Sequence, residues 1–137
     1  MARSNIPHAL AMQEYKFGNR SASEKDALAA TLRDAGRRAE AILLFEGRGG
    51  EHPFLLEERD WACKEGIAFH LTSLRNLGVP IDEDVWRRCA TAAESRGRWL
   101  DARTCYVALE DREALARIAE HLPESLRIAP AAEGAEN

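Results

Sequence analysis

The chain has 137 residues, of which 45% are hydrophobic and 31% charged, and its formal net charge is −4. A chain of this length fits one domain that buries a core without metals or disulfides, and its composition excludes wholesale disorder. Basic residues are interleaved with acidic ones instead of forming a basic stripe, which argues against a general affinity for nucleic acid. Abundant alanine and leucine favour helix over strand.

The first twenty residues are interpreted as an N-terminal segment outside the main domain. The sequence predicts a short helix there, beginning at Pro7 and ending by Gly18. The segment contains no sustained apolar run, so we expect neither a signal peptide nor a membrane span. A reducing, cytoplasmic location follows as the default expectation.

Residues 21–46 predict two helices joined by a turn. Ser21 and Glu24 match a capping box at the start of the first helix, with Ser23 as the alternative cap. Gly36 is placed to end this helix, and helical spacing resumes directly after it. A helix that stops at one glycine and restarts at once must reverse its direction, which predicts an antiparallel helix pair.

The middle of the chain, residues 47–78, is less clearly patterned. Residues 47–53 contain three glycines and one proline, and this composition predicts a loop. Residues 54–78 carry a wide apolar surface, as expected of a helix buried between other helices. Gly66 interrupts this stretch, so one kinked helix and two shorter helices both remain open.

The last third of the chain predicts three more helices. Asp82 is the expected cap of the first, which ends at Gly97, and a second follows directly. Asp111 is expected to cap the third, which ends before Pro123, and residues 129–137 are interpreted as a disordered tail. No strand alternation of useful length occurs, so we expect an all-α fold with six or seven helices.

A spaced triplet of residues occurs twice, sixty-one positions apart. In each copy a glycine permits a reversal, a small alanine five residues later permits close helix approach, and an aromatic four residues further fills the next turn. This arrangement is typical of helical hairpins that stack on one another. The two triplets are Gly36, Ala41 and Phe45, and Gly97, Ala102 and Tyr106.

With Pro53 following the first triplet, the pattern resembles the tetratricopeptide repeat, whose second helix carries A-x3-F and then proline. The family's first-helix pattern is met loosely, the later copy lacks the proline, and the residues between the copies match poorly. The resemblance covers about half of the chain and implies stacked antiparallel hairpins in a short right-handed solenoid over residues 21–128. An unrelated helical bundle is the alternative.

The resemblance also implies a role as a protein–protein interaction module: an adaptor, a chaperone-like protein or an assembly factor. Its groove would be lined by the first helix of each pair and hold a peptide or a partner helix, while the outer helices could pair with a second copy as a homodimer. The implied partner-binding residues carry mixed charge, unlike the Lys/Asn-rich clamp with which some relatives hold a C-terminal carboxylate. No specific acidic-tail ligand is therefore indicated. The residues are Asp26, Arg33 and Asp34 in the earlier copy, and Arg87, Thr91, Glu94 and Ser95 in the later one.

The sequence predicts no catalytic, cofactor or metal site. The glycines at residues 47–50 lack a following Lys-Ser/Thr, no HExxH or CxxC pattern occurs, and the three cysteines are expected to be buried thiols. The acidic cluster Glu57, Glu58 and Asp60 is interpreted as a solvated helix start. We therefore expect no enzyme activity, no nucleic-acid partner and no membrane partner. One alternative is a helical nucleic-acid-binding regulator, in which residues 82–104 would form a helix-turn-helix. The other is a small enzyme of unknown type.

Overall fold

The computed structural model describes residues 21–127, and all regular structure in this range is helical. The all-α prediction is confirmed, and so is the expected number of helices. The predicted helix at Pro7 and the predicted disordered tail lie outside the described residues. Within residues 21–127 the α-helices are α1 (Ala22–Asp34), α2 (Arg38–Leu43), α3 (Pro53–Glu65), α4 (Ala68–Asn76), α5 (Glu83–Ser95), α6 (Trp99–Leu109) and α7 (Arg112–Ile118). Two short 3-10 helices follow at Ala119–His121 and Glu124–Leu126.

The chain divides into two compact units, Met1–Gly49 and Gly50–Asn137. In the first unit α1 packs on α2, and we call this pair hairpin A. The second unit contains hairpin B, formed by α3 and α4, and hairpin C, formed by α5 and α6, with α7 packed on α6. The single helical-repeat domain over residues 21–128 stays a prediction.

Hairpin A begins at the capping box that the sequence predicts. The Ser21 amide donates to Glu24 Oε1 at 2.9 Å, and the Glu24 amide donates in return to Ser21 Oγ at 3.2 Å. These two bonds satisfy amide groups that the first turn of a helix leaves without partners. At the other end α1 stops before Gly36, whose φ of 81° reverses the chain into α2. The predicted antiparallel pair is confirmed.

The same turn closes all three hairpins. In each, a glycine with positive φ follows the first helix, and the next amide donates back to a carbonyl five residues earlier, at 2.8–2.9 Å. This bond pairs carbonyls that would otherwise be left at the helix end. The middle stretch is therefore a hairpin of two helices and not one kinked helix. The three glycines are Gly36, Gly66 and Gly97, spaced thirty and thirty-one residues apart.

Hairpins B and C stack with like helices in contact, α3 on α5 and α4 on α6. Small buried residues line the contact of the first helices, where the Cys89 thiol lies 3.9 Å from the Ala62 carbonyl oxygen. Gly66 comes so close to α5 that a Cβ added to it would lie 2.6 Å from the Ala93 amide nitrogen. Since no real Cβ tolerates that distance, this packing requires glycine.

Polar contacts join hairpins B and C at their turns. Asp101 of α6 accepts a hydrogen bond from the Ala68 amide, the first amide of α4, at 2.9 Å. Arg98 holds the same carboxylate at 2.9 Å and donates to the Gly66 carbonyl at 3.3 Å. Hairpin C therefore supplies both the N-terminal cap of α4 and a donor for the turn before it.

Glu58 corrects the interpretation of the acidic cluster as solvated. Its side chain is fully buried, and its Oε1 lies 3.0 Å from His70 Nε2 on α4. Trp61 packs edge-on against the His70 ring, with 5.5 Å between ring centroids. The helical period turns Glu58 toward α4. A buried carboxylate is tolerated there because it has a hydrogen-bonding partner, the His70 ring.

Candidate functional site

An open groove of about 480 Å³ lies between α3 and α5, the first helices of hairpins B and C. We call it the α3–α5 groove. A binding surface is expected on the first helices, and binding at this groove stays a prediction. The lining residues are Asp60, Cys63 and Lys64 from α3, and Arg87, Arg88, Thr91, Ala92 and Ser95 from α5.

The spacing of residues on α5 explains why its polar side chains share this groove. Arg87, Thr91 and Ser95 recur every four residues, and residues at that spacing lie above one another on one helix face. The helix is anchored at its start, where the Val85 amide donates to Asp82 Oδ1 at 3.0 Å. The predicted Asp82 cap is thus confirmed, and it fixes where α5 begins.

The floor of the groove is small and uncharged. Cys63 is only 3% exposed, and its thiol donates to the Val85 carbonyl oxygen at 3.5 Å. Burial raises the pKa of the Cys63 thiol, although the positive charge of Arg88 acts in the opposite direction. The thiol is therefore neutral at physiological pH and contributes packing surface, not a nucleophile.

The rim of the groove carries three cations and one carboxylate. Lys64 from α3 and the adjacent Arg87 and Arg88 from α5 are all exposed, while Asp60 is the acidic residue among the lining side chains. This balance differs from that of the whole chain, whose net charge is −4. The groove is therefore a locally cationic surface on an acidic protein.

Both arginines already contact a carboxylate outside the lining. Arg87 Nη1 lies 3.3 Å from Asp111, and Arg88 Nε lies 2.9 Å from Asp84. Both arginine side chains are more than half exposed, and ion pairs in water contribute about 1 kcal/mol or less. A guanidinium also has five N–H donors, so each arginine can bind a further carboxylate without losing the first.

Two hydroxyl groups face the groove as acceptors. Thr91 Oγ1 donates to the Arg87 carbonyl at 3.1 Å, and Ser95 Oγ donates to the Ala92 carbonyl at 2.8 Å. Each hydroxyl hydrogen is thereby used within α5, and the oxygen lone pairs remain for a ligand. The groove thus combines cationic donors with hydroxyl acceptors.

Three of the seven predicted partner-binding residues line this groove: Arg87, Thr91 and Ser95. Glu94 points elsewhere, because its carboxylate accepts two bonds from Arg117 at 2.7 and 2.8 Å and one from the Tyr106 hydroxyl. Glu94 therefore links α5, α6 and α7. The bonds from Arg117 lower the pKa of Glu94, and the Tyr106 bond acts in the same direction.

The other three predicted residues belong to α1 in the first unit. Asp26 Oδ1 lies 2.8 Å from Arg48 Nη2, Arg33 is half-buried and Asp34 is exposed. Partner binding by these residues stays a prediction.

The sequence interpretation missed five lining residues, three of them because it assigned no first helix to the middle of the chain. Gly66 carried the needed signal, since it stands about midway between the other two turn glycines. Placing a hairpin turn there makes residues 53–65 the first helix of a pair. The missed residues are Asp60, Cys63 and Lys64 of α3, and Arg88 and Ala92 of α5.

Within residues 21–127, no group of three or more His, Cys, Asp or Glu side chains is arranged to hold a metal ion. None of the helices described there is both long enough and apolar enough to cross a bilayer.

The tetratricopeptide resemblance rests on residue spacing and stays a prediction. Comparison of the chain with protein-family models, with curated proteins and with solved structures found no match.

Proposed function

We propose that this protein is a protein–protein interaction module that binds a segment of a partner protein in the α3–α5 groove. The observation that carries the proposal is the groove itself, which joins the first helices of two stacked hairpins. Stacked helical hairpins present such surfaces to peptides and helices.

The composition of the groove supports a peptide-like occupant. The small floor at Cys63 and Ala92 leaves room for side chains, and the volume lies within the range of roughly 300–1,000 Å³ found for ligand pockets. The hydroxyls of Thr91 and Ser95 and the surrounding cations can meet both the donors and the acceptors of a peptide. We also propose a tetratricopeptide-like hairpin repeat, for which the three equivalent turns are the support.

A reducing compartment such as the cytoplasm is the proposed setting. Cys63, Cys89 and Cys105 are free thiols in the structure, and all three are buried. Disulfides are rare in cytosolic proteins, where thiols are kept reduced, so free cysteines are compatible with that compartment.

A displayed library of random peptides, selected against the purified protein, tests the groove directly. Thr91→Trp places a large ring on the exposed groove face of α5, so we expect it to abolish binding of the selected peptides. Binding is measured with synthetic copies of the peptides by fluorescence anisotropy, and circular dichroism checks that the variant remains folded.

The matched control for this experiment is Thr104→Trp. Thr104 is also exposed and also donates to its own helix, at 3.1 Å to the Leu100 carbonyl, but it lies on α6 outside the groove lining. Peptides that bind the control and not Thr91→Trp support the proposal. A failure to select any peptide, or peptides that bind both variants equally, would contradict it.

A further inference from the structure

We infer that the α3–α5 groove selects an acidic segment of a partner protein, whose side-chain carboxylates pair with Lys64 and Arg87. This inference rests on the proposed function and adds the chemistry of the partner. Charge complementarity carries it, since three of the eight lining residues are cations and one is an anion.

Lys64 is the cation best placed for a new partner. Its side chain is exposed, and no carboxylate within residues 21–127 pairs with its ammonium group. A ligand carboxylate at this position forms an ion pair and displaces no existing one. Lys64 therefore provides one end of the binding site.

Arg87 provides a second cation, on the opposite side of the groove. Gly66 packs against Ala93, so Lys64, two residues earlier on α3, is level with Thr91 of α5. Arg87 precedes Thr91 by four residues, or roughly 6 Å at about 1.5 Å per residue. Side chains of an acidic segment can therefore present separate carboxylates to Lys64 and to Arg87.

The groove favours a polypeptide over a nucleic acid. The Thr91 and Ser95 hydroxyls present lone pairs, which accept backbone N–H groups of a peptide, whereas a phosphodiester backbone offers no donor. Asp60 in the lining and Asp84 and Asp111 at its edge repel a continuous polyanion. Separate carboxylates can contact the cations between these acidic residues.

Two fluorescein-labelled peptides test the inference. One contains leucine and regularly spaced glutamate, and its twin has each glutamate replaced by glutamine. Both are acetylated and amidated, which removes the terminal charges. We expect the glutamate peptide to bind at least about tenfold more tightly in anisotropy titrations, with affinity falling as salt is raised from about 0.02 M to 0.5 M. Equal binding of the two peptides would overturn the inference.

Charge reversal locates the bound carboxylates. Lys64→Glu is expected to weaken binding of the glutamate peptide at least about tenfold, because attraction becomes repulsion at one end of the groove. Arg112→Glu makes the same change of charge at an exposed position on α7 outside the lining, and it should alter affinity less than about twofold. Equal losses in both variants would show a nonspecific effect of net charge and contradict the inference.

Failure of this inference can be distinguished from failure of the proposed function. Library peptides that depend on the groove but are neutral or basic would overturn the acidic preference and leave partner binding intact. A labelled single-stranded oligonucleotide is titrated in parallel. If it binds as tightly as the glutamate peptide and is equally weakened by Lys64→Glu, the groove is a nucleic-acid site and the inference is wrong.

Discussion

Gly66 combines two requirements that usually fall on different residues. It adopts φ = 74° at the end of α3, in the left-handed region that L residues rarely occupy. It also contacts the backbone of α5 near Ala93. Gly97 has a similar φ of 72°, but a Cβ there would have no atom closer than 4.0 Å. The two glycines therefore separate the effect of conformation from that of close packing.

We predict that Gly66→Ala lowers the free energy of unfolding by more than about 3 kcal/mol, because backbone strain adds to an overlap with α5. Gly97→Ala is expected to cost about 1–2 kcal/mol, from the left-handed conformation alone. Urea denaturation followed by circular dichroism measures both. Equal losses would mean that hairpin B does not approach hairpin C as described.

Residues at the helix ends were largely predictable from the sequence. Ser21, Asp82 and Asp111 cap their helices through side-chain bonds, as local spacing indicates. Glu58 was not predictable, because a carboxylate near the start of a helix is usually exposed and only α4 supplies the partner that permits burial. Local signals predict caps, whereas the burial of a charged group depends on tertiary contacts.

Glu94 ties three helices together through one carboxylate. Its partners, Arg117 on α7 and the Tyr106 hydroxyl on α6, hold the last helix against hairpin C. Because the carboxylate is mostly shielded while Arg117 is more than half exposed, the network should contribute about 1 kcal/mol.

We predict that Glu94→Gln lowers stability by about 1 kcal/mol at neutral pH. The pKa of Glu94 is lowered in the folded state, so its contribution is present above the ordinary carboxyl pKa of 4.5 and is lost as the pH falls through the folded value. The difference between wild type and variant should therefore vanish in acid. Urea denaturation as a function of pH measures it.

The control for this series is Glu113→Gln, since Glu113 is an exposed carboxylate on the short helix α7. It should change stability little at any pH at which wild type is folded. If the difference in unfolding free energy between wild type and Glu94→Gln stayed constant down to low pH, the ionised carboxylate would not be the source of that stability.

Hairpin B was not identified by the glycine, alanine and aromatic triplet that marks the other two hairpins. The turn glycine recurs at Gly66, but the positions of the small and aromatic residues are taken by Leu71 and Arg75. Leu71 is fully buried, so this hairpin accommodates a larger side chain at the equivalent place. A pattern built on side-chain types missed a repeat that the backbone preserves.

The charge distribution of the whole chain bears on the nucleic-acid alternative. Net charge is −4, and arginines such as Arg87, Arg88 and Arg117 contact carboxylates. We predict little retention on heparin at low salt, with a basic protein of similar size as the reference. Retention that is released only by high salt would contradict this expectation and favour the nucleic-acid-binding alternative.

Across the chain, the all-helical class and the hairpin turns followed from glycine and cap spacing. The groove was predicted only from its α5 side, because Lys64 and Asp60 become lining residues once α3 is recognised as a first helix. The location of Glu94 depends on α7, which sequence periodicity does not orient. Short-range residue spacing therefore predicts where the helices lie in the sequence. Which face one helix turns toward another is determined by tertiary packing.

The cap that Asp101 gives to Ala68 has a consequence for how the protein is made. The two residues are 33 positions apart, so α4 leaves the ribosome well before the side chain that completes its first turn. At about 5–20 residues per second, this delay lasts roughly 2–7 s. During that interval the nascent hairpin carries an unfinished helix end and an uncovered apolar side, and this is the stage of synthesis at which aggregation competes most directly with folding.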